Sequence, residues 1–541
     1  MTDTNTQSVF QAFALAAQSY GDRPMLNVLP VTAEIYGIEA GEISYAQAMG
    51  RVETWASALS NAGYGAGMRV ALLLENRPEF FLIWLALNHL GASVVPINPD
   101  LRAAELEYLI GHAKPALIIA IPGRLNELKK ATKAADIEVG VVAPGSALPK
   151  PRIDAVVAAI SAQAFDREAA VLYTSGTTGA PKGCVLANSY FLEVADWYST
   201  LGGIVSLTPN GERMITPLPI FHMNAMAYSF MAMVAVGGCL TALDRFHPRS
   251  WWQDVRDSKA TCLHYLGVMP SMLIGAPPSP LDRDHTVRFG FGAGVDPKLQ
   301  ANFENRYGFP LVEGWAMTET GAGAVISNHT KDRVIGQAAL GRLSDNLDIL
   351  LIGTDGNPVP EGEPGELLVR RKGENPRLGF FTEYYNNPSA TAEAWENGWF
   401  HTGDIVRQGD DGFFFFVDRK KNVIRRSGEN ISAVEVESIL MTHPDITSAA
   451  IAPVPDSIRG DEVFACLNVA DPSPAKAHEI VEWALGQMAY YKVPGYIAFV
   501  DEIPLTATQK IQRADLKRLA LKLVNNTKTI NTTGLKKRQV A

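Results

Sequence analysis

With 541 residues the chain exceeds what a single hydrophobic core can serve, so two or more domains are expected. Apolar residues make up 47% and charged residues 19%, an ordinary soluble balance, and a formal charge of −9 excludes a general affinity for nucleic acid or an anionic membrane. The four cysteines, Cys184, Cys239, Cys262 and Cys466, lie far apart without paired spacing, which argues against a zinc site or disulfide framework and fits a reducing, cytoplasmic setting.

The polar opening Met-Thr-Asp-Thr-Asn-Thr-Gln carries no secretion signal, and the closing Arg-Gln-Val-Ala is no peroxisomal address. Residues 43–60 read as a short strand followed by a helix, and Arg69 to Leu74 as a strand. Pro78 starts a helix with Phe81, Trp84, Leu85 and Leu87 near helical spacing, and Gly91 ends it. A strand (Ser93 to Ile97), a helix (Leu101 to His112) and a third strand (Ala116 to Ile121) follow. Strand–helix–strand alternation implies a parallel sheet covered by helices, an α/β fold. Residues 140–165, rich in Ala, Pro and Ser, read as a loose connector.

The connector leads into Val171-Leu-Tyr-Thr-Ser-Gly-Thr-Thr-Gly-Ala-Pro-Lys-Gly183. An apolar run enters it as a buried strand, and Thr174, Ser175, Gly176, Thr177, Thr178 and Gly179 form a tight hydroxyl-rich loop. Glycines admit an anion close to backbone N–H groups, hydroxyls add donors and Lys182 adds charge, so the composition suits a polyphosphate. It is not the common P-loop, because Pro181 separates Gly179 from Lys182 and Gly183 follows the lysine.

Beyond the loop, Tyr190 to Leu201 reads as a helix and Met214 to His222 as an apolar run with prolines. Met223 to Leu243 is uncharged and about as long as a bilayer span, but Asn224 and the Gly237-Gly238 pair make a buried helix, turn and strand the better reading. From about residue 350, short strands at Asp348 to Ile352 and Glu366 to Arg370 point to a smaller β-rich layer. A Phe-rich strand (Gly412 to Val417) meets the charged run Asp418-Arg-Lys-Lys-Asn422, where a boundary is expected between a large unit, 1–419, and a small α+β unit, 420–541. The small unit should hold helices at Ala433 to Thr442 and Ala477 to Tyr490, with strands at Ser448 to Pro453, Val463 to Val469 and Tyr496 to Asp501. The polar end, including the triplet Lys536, Lys537 and Arg538, reads as a frayed, solvated tail.

Four further stretches carry chemistry. Glu313-Gly-Trp-Ala-Met-Thr-Glu-Thr-Gly321 sets an aromatic face beside a hydroxyl and a carboxylate, able to stack a base and hold a hard cation. Gly398-Trp-Phe-His-Thr-Gly-Asp404 ends on an aspartate that, taken alone, is a turn or cap residue. Asp418-Arg-Lys-Lys-Asn-Val-Ile with Ser427-Gly-Glu-Asn-Ile431 is in isolation a solvated charged face, and Lys510 in Pro504-Leu-Thr-Ala-Thr-Gln-Lys-Ile is in isolation a surface lysine.

Together with the loop, these motifs resemble, in the same order, those of the acyl-adenylate-forming superfamily, most nearly its medium-chain or aryl acyl-CoA synthetases and crotonobetaine/carnitine-CoA ligase-like enzymes. The resemblance implies a large helix-covered domain and a small mobile one, an acyl-AMP intermediate, and ATP, Mg2+ and coenzyme A as cofactors. It implies that the loop grips diphosphate, Trp315 packs on adenine beside Gly292, Ala293, Gly294, Glu313 and Gly314, and Asp404 binds the ribose hydroxyls. Glu319 and Thr174 would hold Mg2+, with Thr318 and Lys182 alongside; Arg419 would reach the ribose and phosphate, and Lys421 would be the hinge. Ser427 and Gly428 would face coenzyme A, and Lys510 would serve adenylation.

His222, Met223, Asn224, Ala316 and Met317 would line the carboxylic-acid pocket, with Met226, Ala227, Phe230 and Phe291 to Val295 as apolar walls. Ala316, Ser427 and Gln509 stand where the superfamily usually has glycine. A methyl at Ala316 would narrow the pocket, and the Asn224 amide could meet a polar group on the acid; both point to a small, medium or aromatic acid. Homodimers are common in such families. The alternatives are an enzyme that loads a carrier protein, a luciferase-type oxygenase and a non-catalytic ATP- or acyl-binding regulator.

Overall fold

The computed structural model describes residues 6–101, 103–152, 154–174, 181–419, 423–426, 429–456, 459–488, 490–505 and 510–536. The strand Arg69–Leu73 is buried at all of its positions, as a strand covered on both faces must be. It pairs in parallel with Ser93–Pro96 on one side and Leu117–Ala120 on the other. The helix Pro78–His89, opened by proline and buried almost all round, makes the crossover. Gly140–Val142 adds a short parallel strand inside the segment expected to be a loose connector. On the opposite flank Glu168–Thr174 runs parallel to Ser93–Pro96, Lys182–Ala187 turns back antiparallel to it, and Glu383–Tyr384 closes the edge.

A second sheet has a parallel half built from Pro24–Val28, Cys239–Ala242, Arg213–Thr216, Cys262–Leu266, Phe289–Ala293 and Leu311–Trp315. From Leu311–Trp315 the pairing turns antiparallel and runs on through Ala339–Arg342, Phe413–Arg419, Phe400–Gln408, Gly365–Arg371 and Leu347–Ile352. The β-rich part is therefore continuous with the main sheet, thirteen strands among the described residues, rather than a layer of its own. The uncharged stretch after His222 is a buried π-turn, Asn224–Ser229, then the helix Phe230–Val236, then Cys239–Ala242. Gly237 ends the helix at φ 62, the left-handed cap that glycine adopts without strain. Among the described residues no helix is long and apolar enough to cross a membrane.

The C-terminal part has its own sheet around the hairpin Ile446–Asp456 and Gly460–Val469. Alternate residues face opposite sides. Ile451, Val463, Ala465 and Leu467 pack with Val436, Leu440, Ile480 and Val481, whereas Ala452, Val454, Phe464 and Cys466 pack with Leu516 and Ala520. The second face is covered by a helix, Arg513–Leu523, which the sequence reading missed. The large domain's main core ends at Phe414 and Phe416, and the small domain's core starts at Ile424.

The chain end is not a solvated tail as far as Lys536. Ile530–Asn531 pairs with Tyr496–Phe499, and Lys536 is buried with its Nζ on the Glu462 carboxylate. Glu462 also accepts from Arg426 Nε at 2.8 Å. Lys537 and Arg538 lie outside the described residues.

Candidate active site

The phosphate-type loop hangs from a two-stranded neck, in which Thr174 and Lys182 are directly paired. Tyr108 steadies the neck, its hydroxyl donating to the Pro181 carbonyl at 2.9 Å. Ser175, Gly176, Thr177, Thr178 and Gly179 lie outside the described residues. Lys182 Nζ sits 4.6 Å from the centre of the Tyr384 ring, within cation–π range. Tyr384 donates its hydroxyl proton to Glu319 Oε1 at 2.9 Å. One tyrosine thus joins the loop's cation to the carboxylate of the second motif. Burial, ahead of the Glu319 charge, pushes the Tyr384 phenol far up, so it stays a donor.

Strand Leu311–Trp315 delivers the adenine-type segment. Trp315 is buried, and its Nε1 donates to Asp404 Oδ2 at 2.8 Å. Asp404 lies on Phe400–Gln408 opposite Arg419 in the antiparallel register, so these positions of two distant motifs are backbone neighbours.

The Glu313 side chain is engaged by protein donors. Both of its oxygens face protein donors: Tyr265 Oη at 2.6 Å and Val295 N at 3.2 Å on Oε1, and Gly294 N at 2.7 Å on Oε2. Burial pushes its carboxyl up to about 7 in spite of these bonds. Glu313 therefore shapes the exposed Ala293–Gly294 turn from behind. At Gly292, a Cβ would stand 2.2 Å from the Tyr265 carbonyl oxygen, so only glycine lets the strands meet there.

Of the residues expected in the acyl pocket, Met223, Asn224, Ala316 and Met317 are half-buried and His222 is exposed; Gly314 and Thr318 are half-buried too. Met226, Ala227 and Phe230 are not walls of this space. They are fully buried core residues, and Phe230 stacks on Phe81 of the helix Pro78–His89 at 4.4 Å. His222 has open surface, yet protein atoms ring it closely. That enclosure and, after it, the charge of Lys510 hold its pKa well below the usual histidine value. Lys510 of the small domain therefore stands within electrostatic reach of a large-domain side chain. An isolated bridge, Leu505 to Ile511, and the bond from Gln512 N to Pro504 O at 2.8 Å close the base of its loop. Lys421, Ser427, Gly428 and Gln509 lie outside the described residues, as does the side chain of Arg419.

Residues 13–381 match the family model described as AMP-binding enzyme. The chain belongs to the AMP-binding enzyme family. Residues 435–510 of this AMP-binding enzyme match the model of the family's C-terminal domain. A crotonobetaine/carnitine–CoA ligase of Salmonella paratyphi A is 30% identical over 527 residues, which are 94% of this chain and 99% of the relative. Among solved structures, an anthranilate CoA ligase in complex with anthranoyl-AMP superposes with a TM-score of 0.81 at 22% identity, over 96% of this chain and 98% of that one. ATP-bound MatB from Rhodopseudomonas palustris gives a TM-score of 0.78 at 23% identity, over 95% and 99%. These likenesses establish the adenylate-forming α/β fold for this AMP-binding enzyme.

Two residues of the site escaped the sequence reading. Tyr384 sits in Glu383-Tyr-Tyr-Asn-Asn, where an aromatic in a short strand reads as core. His264, fully buried on Cys262–Leu266, lies behind Asn224 and reads as an ordinary core histidine. Neither carries a signal in its own neighbourhood, because each acts on a residue from another motif.

Proposed function

We propose that this AMP-binding enzyme is an AMP-forming acyl-CoA synthetase that acts on a small to medium or aromatic carboxylic acid. A carboxylate oxygen attacks the α-phosphorus of ATP, the bond to the β-phosphate breaks, and diphosphate leaves. The thiolate of coenzyme A then attacks the acyl carbon and AMP departs. A carboxylate is a poor acylating agent because oxide would have to leave; adenylation supplies a far better leaving group.

The observations that support this reading are the Lys510 charge felt at His222 and the Trp315–Asp404 hydrogen bond, which joins two of the motifs named above. In this reading Lys510 stabilises charge gathering on the α-phosphate during the first step. Thr174 through Gly179 and Lys182 hold the β- and γ-phosphates. Trp315 packs on adenine, and Asp404 with Arg419 takes the ribose. The donors near the loop are hard oxygens, the Glu319 carboxylate and the Thr174 and Thr318 hydroxyls, a set that fits Mg2+. Mg2+ held there would screen the triphosphate charge. Tyr384 orients Glu319 for this, while His222 stays neutral and puts no second cation at the acid's entrance. Lys421 is the pivot between 1–419 and 420–541, and turning about it brings Ser427 and Gly428 toward coenzyme A. Four free, buried cysteines favour a cytoplasmic setting.

The test is diphosphate release over a panel of acids, with and without coenzyme A. Crotonobetaine, carnitine and anthranilate, the acids named for similar proteins, belong in it. Release with thioester formation is expected. No release with any acid overturns the reading, and release without thioester formation points to a carrier protein as acceptor. Lys510→Ala should slow adenylation by about a hundredfold or more while largely sparing thioester formation from supplied acyl-AMP. Equal loss of both half-reactions would contradict the division of labour.

A further inference from the structure

Asn224 opens the π-turn Asn224–Ser229 at the acyl side of the cleft. Such a turn carries one more residue than an α-helical one and recurs at functional sites. Behind it His264 Nδ1 lies 2.9 Å from Asn224 Oδ1 and 2.8 Å from Ser229 Oγ, while His264 Nε2 lies 3.0 Å from the Tyr198 hydroxyl. Ser229 Oγ donates to the main-chain carbonyl of Asn224 at 3.3 Å.

With the Asn224 side-chain oxygen, rather than its nitrogen, set against His264 Nδ1, one consistent proton arrangement follows. In it Ser229 gives its one hydroxyl proton to the main-chain carbonyl of Asn224. Ser229 Oγ must then accept from His264, which puts the imidazole proton on Nδ1. That N–H also serves the Asn224 side-chain oxygen, and Nε2 takes the proton of Tyr198. Turning the Asn224 amide over would set its N–H groups against the Nδ1–H. Burial keeps the imidazole neutral, with its pKa pushed down to about 3, so it does not shed this arrangement by gaining a second proton near neutral pH. The amide nitrogen of Asn224 is thus left facing away from His264, with no hydrogen-bond partner among the described residues, on a half-buried side chain between His222 and the core.

We propose that Asn224 is a fixed hydrogen-bond donor in the acyl pocket, oriented by His264 as positioning residue, and that it selects carboxylic acids bearing an uncharged oxygen acceptor on the acyl group. The proposal rests on the acyl-CoA synthetase reading above. A hydroxyl, carbonyl or ether oxygen pairs with the amide N–H. A methyl in its place strands a desolvated donor, and a quaternary ammonium meets the positive end of the amide dipole.

The test compares kcat/KM for diphosphate release between matched acids: 3-hydroxybutanoate with 3-methylbutanoate, and 3-methoxybenzoate with 3-ethylbenzoate, with crotonobetaine as the cationic acid. The oxygen-bearing member of at least one pair should be favoured by about tenfold or more. Asn224→Leu should bring that ratio close to one. His264→Asn places an amide N–H where Nδ1 stood and should keep the ratio, whereas His264→Gln reaches toward Tyr198 instead and should lose it. Damage to the fold would lower both members of a pair together and leave the ratio unmoved. Release without discrimination in either pair, a ratio that survives Asn224→Leu or His264→Gln, or crotonobetaine favoured over every oxygen-bearing acid overturns the proposal. No release with any acid overturns the synthetase reading instead, and this proposal falls with it.

Discussion

Glu313 shows how a single buried carboxylate can order the backbone of a turn. It gathers Tyr265 and two backbone N–H groups of the Gly294–Val295 turn, and burial raises its carboxyl from 4.5 to about 7. An acid whose pKa is raised on folding binds its proton more tightly when folded. Its contribution to stability is therefore full below about 4.5 and is lost as pH rises through about 7. The change is roughly 3 kcal/mol across that window. Glu313→Gln should flatten this part of the stability profile, read as melting temperature against pH, at the cost of one mismatched donor in the turn. An unchanged slope in the variant would refute the assignment. Trp315 works at the same scale. Its indole N–H ties it to the Asp404 carboxylate of another motif, a link that a phenylalanine there would lack.

The tail strand Ile530–Asn531 shows what one short element can pin. It covers the edge of Tyr496–Phe499, and Thr532 then bonds Gly495 O through its backbone at 2.9 Å and Pro494 O through its hydroxyl at 2.8 Å. Lys536 completes the attachment by burying its ammonium on Glu462 beside Arg426. Lys536→Met keeps the volume and removes the charge, leaving Glu462 with Arg426 alone. We expect a loss of about 1–3 kcal/mol in the small domain, seen as about tenfold or greater acceleration of amide hydrogen exchange in Tyr496–Phe499. Unaltered exchange there would show that the tail is held by its strand pairing without the ion pair.

The charge of Lys510 is felt at His222, which links the small domain to the large one. It offers a readout of docking between the two that needs no substrate. Removing the ammonium in Lys510→Ala should raise the His222 pKa, but only part of the way to the ordinary value, because enclosure is the larger cause. An NMR titration of the histidine ring protons measures this, and an unmoved His222 would mean that the two domains do not keep this arrangement in solution.

The sequence by itself determined the strand–helix alternation, the parallel sheets, the buried strand that enters the motif at 171–183, and the order of motifs that marks the family. All of these depend on residue types at short spacing, where periodicity, glycine and proline act locally. Only the tertiary structure decided the rest. Tyr384 reaches Glu319 across 65 positions, Trp315 reaches Asp404 across 89, His264 reaches Asn224 across 40 and Lys536 reaches Glu462 across 74. Each partner looks ordinary in its own stretch: a strand tyrosine, a core histidine, a basic tail. Helical and strand periodicity say which face a side chain takes within its element, but not which distant element will be laid against that face. That choice is made by burial of the whole core, which brings polar groups into contact only where their hydrogen bonds can be completed.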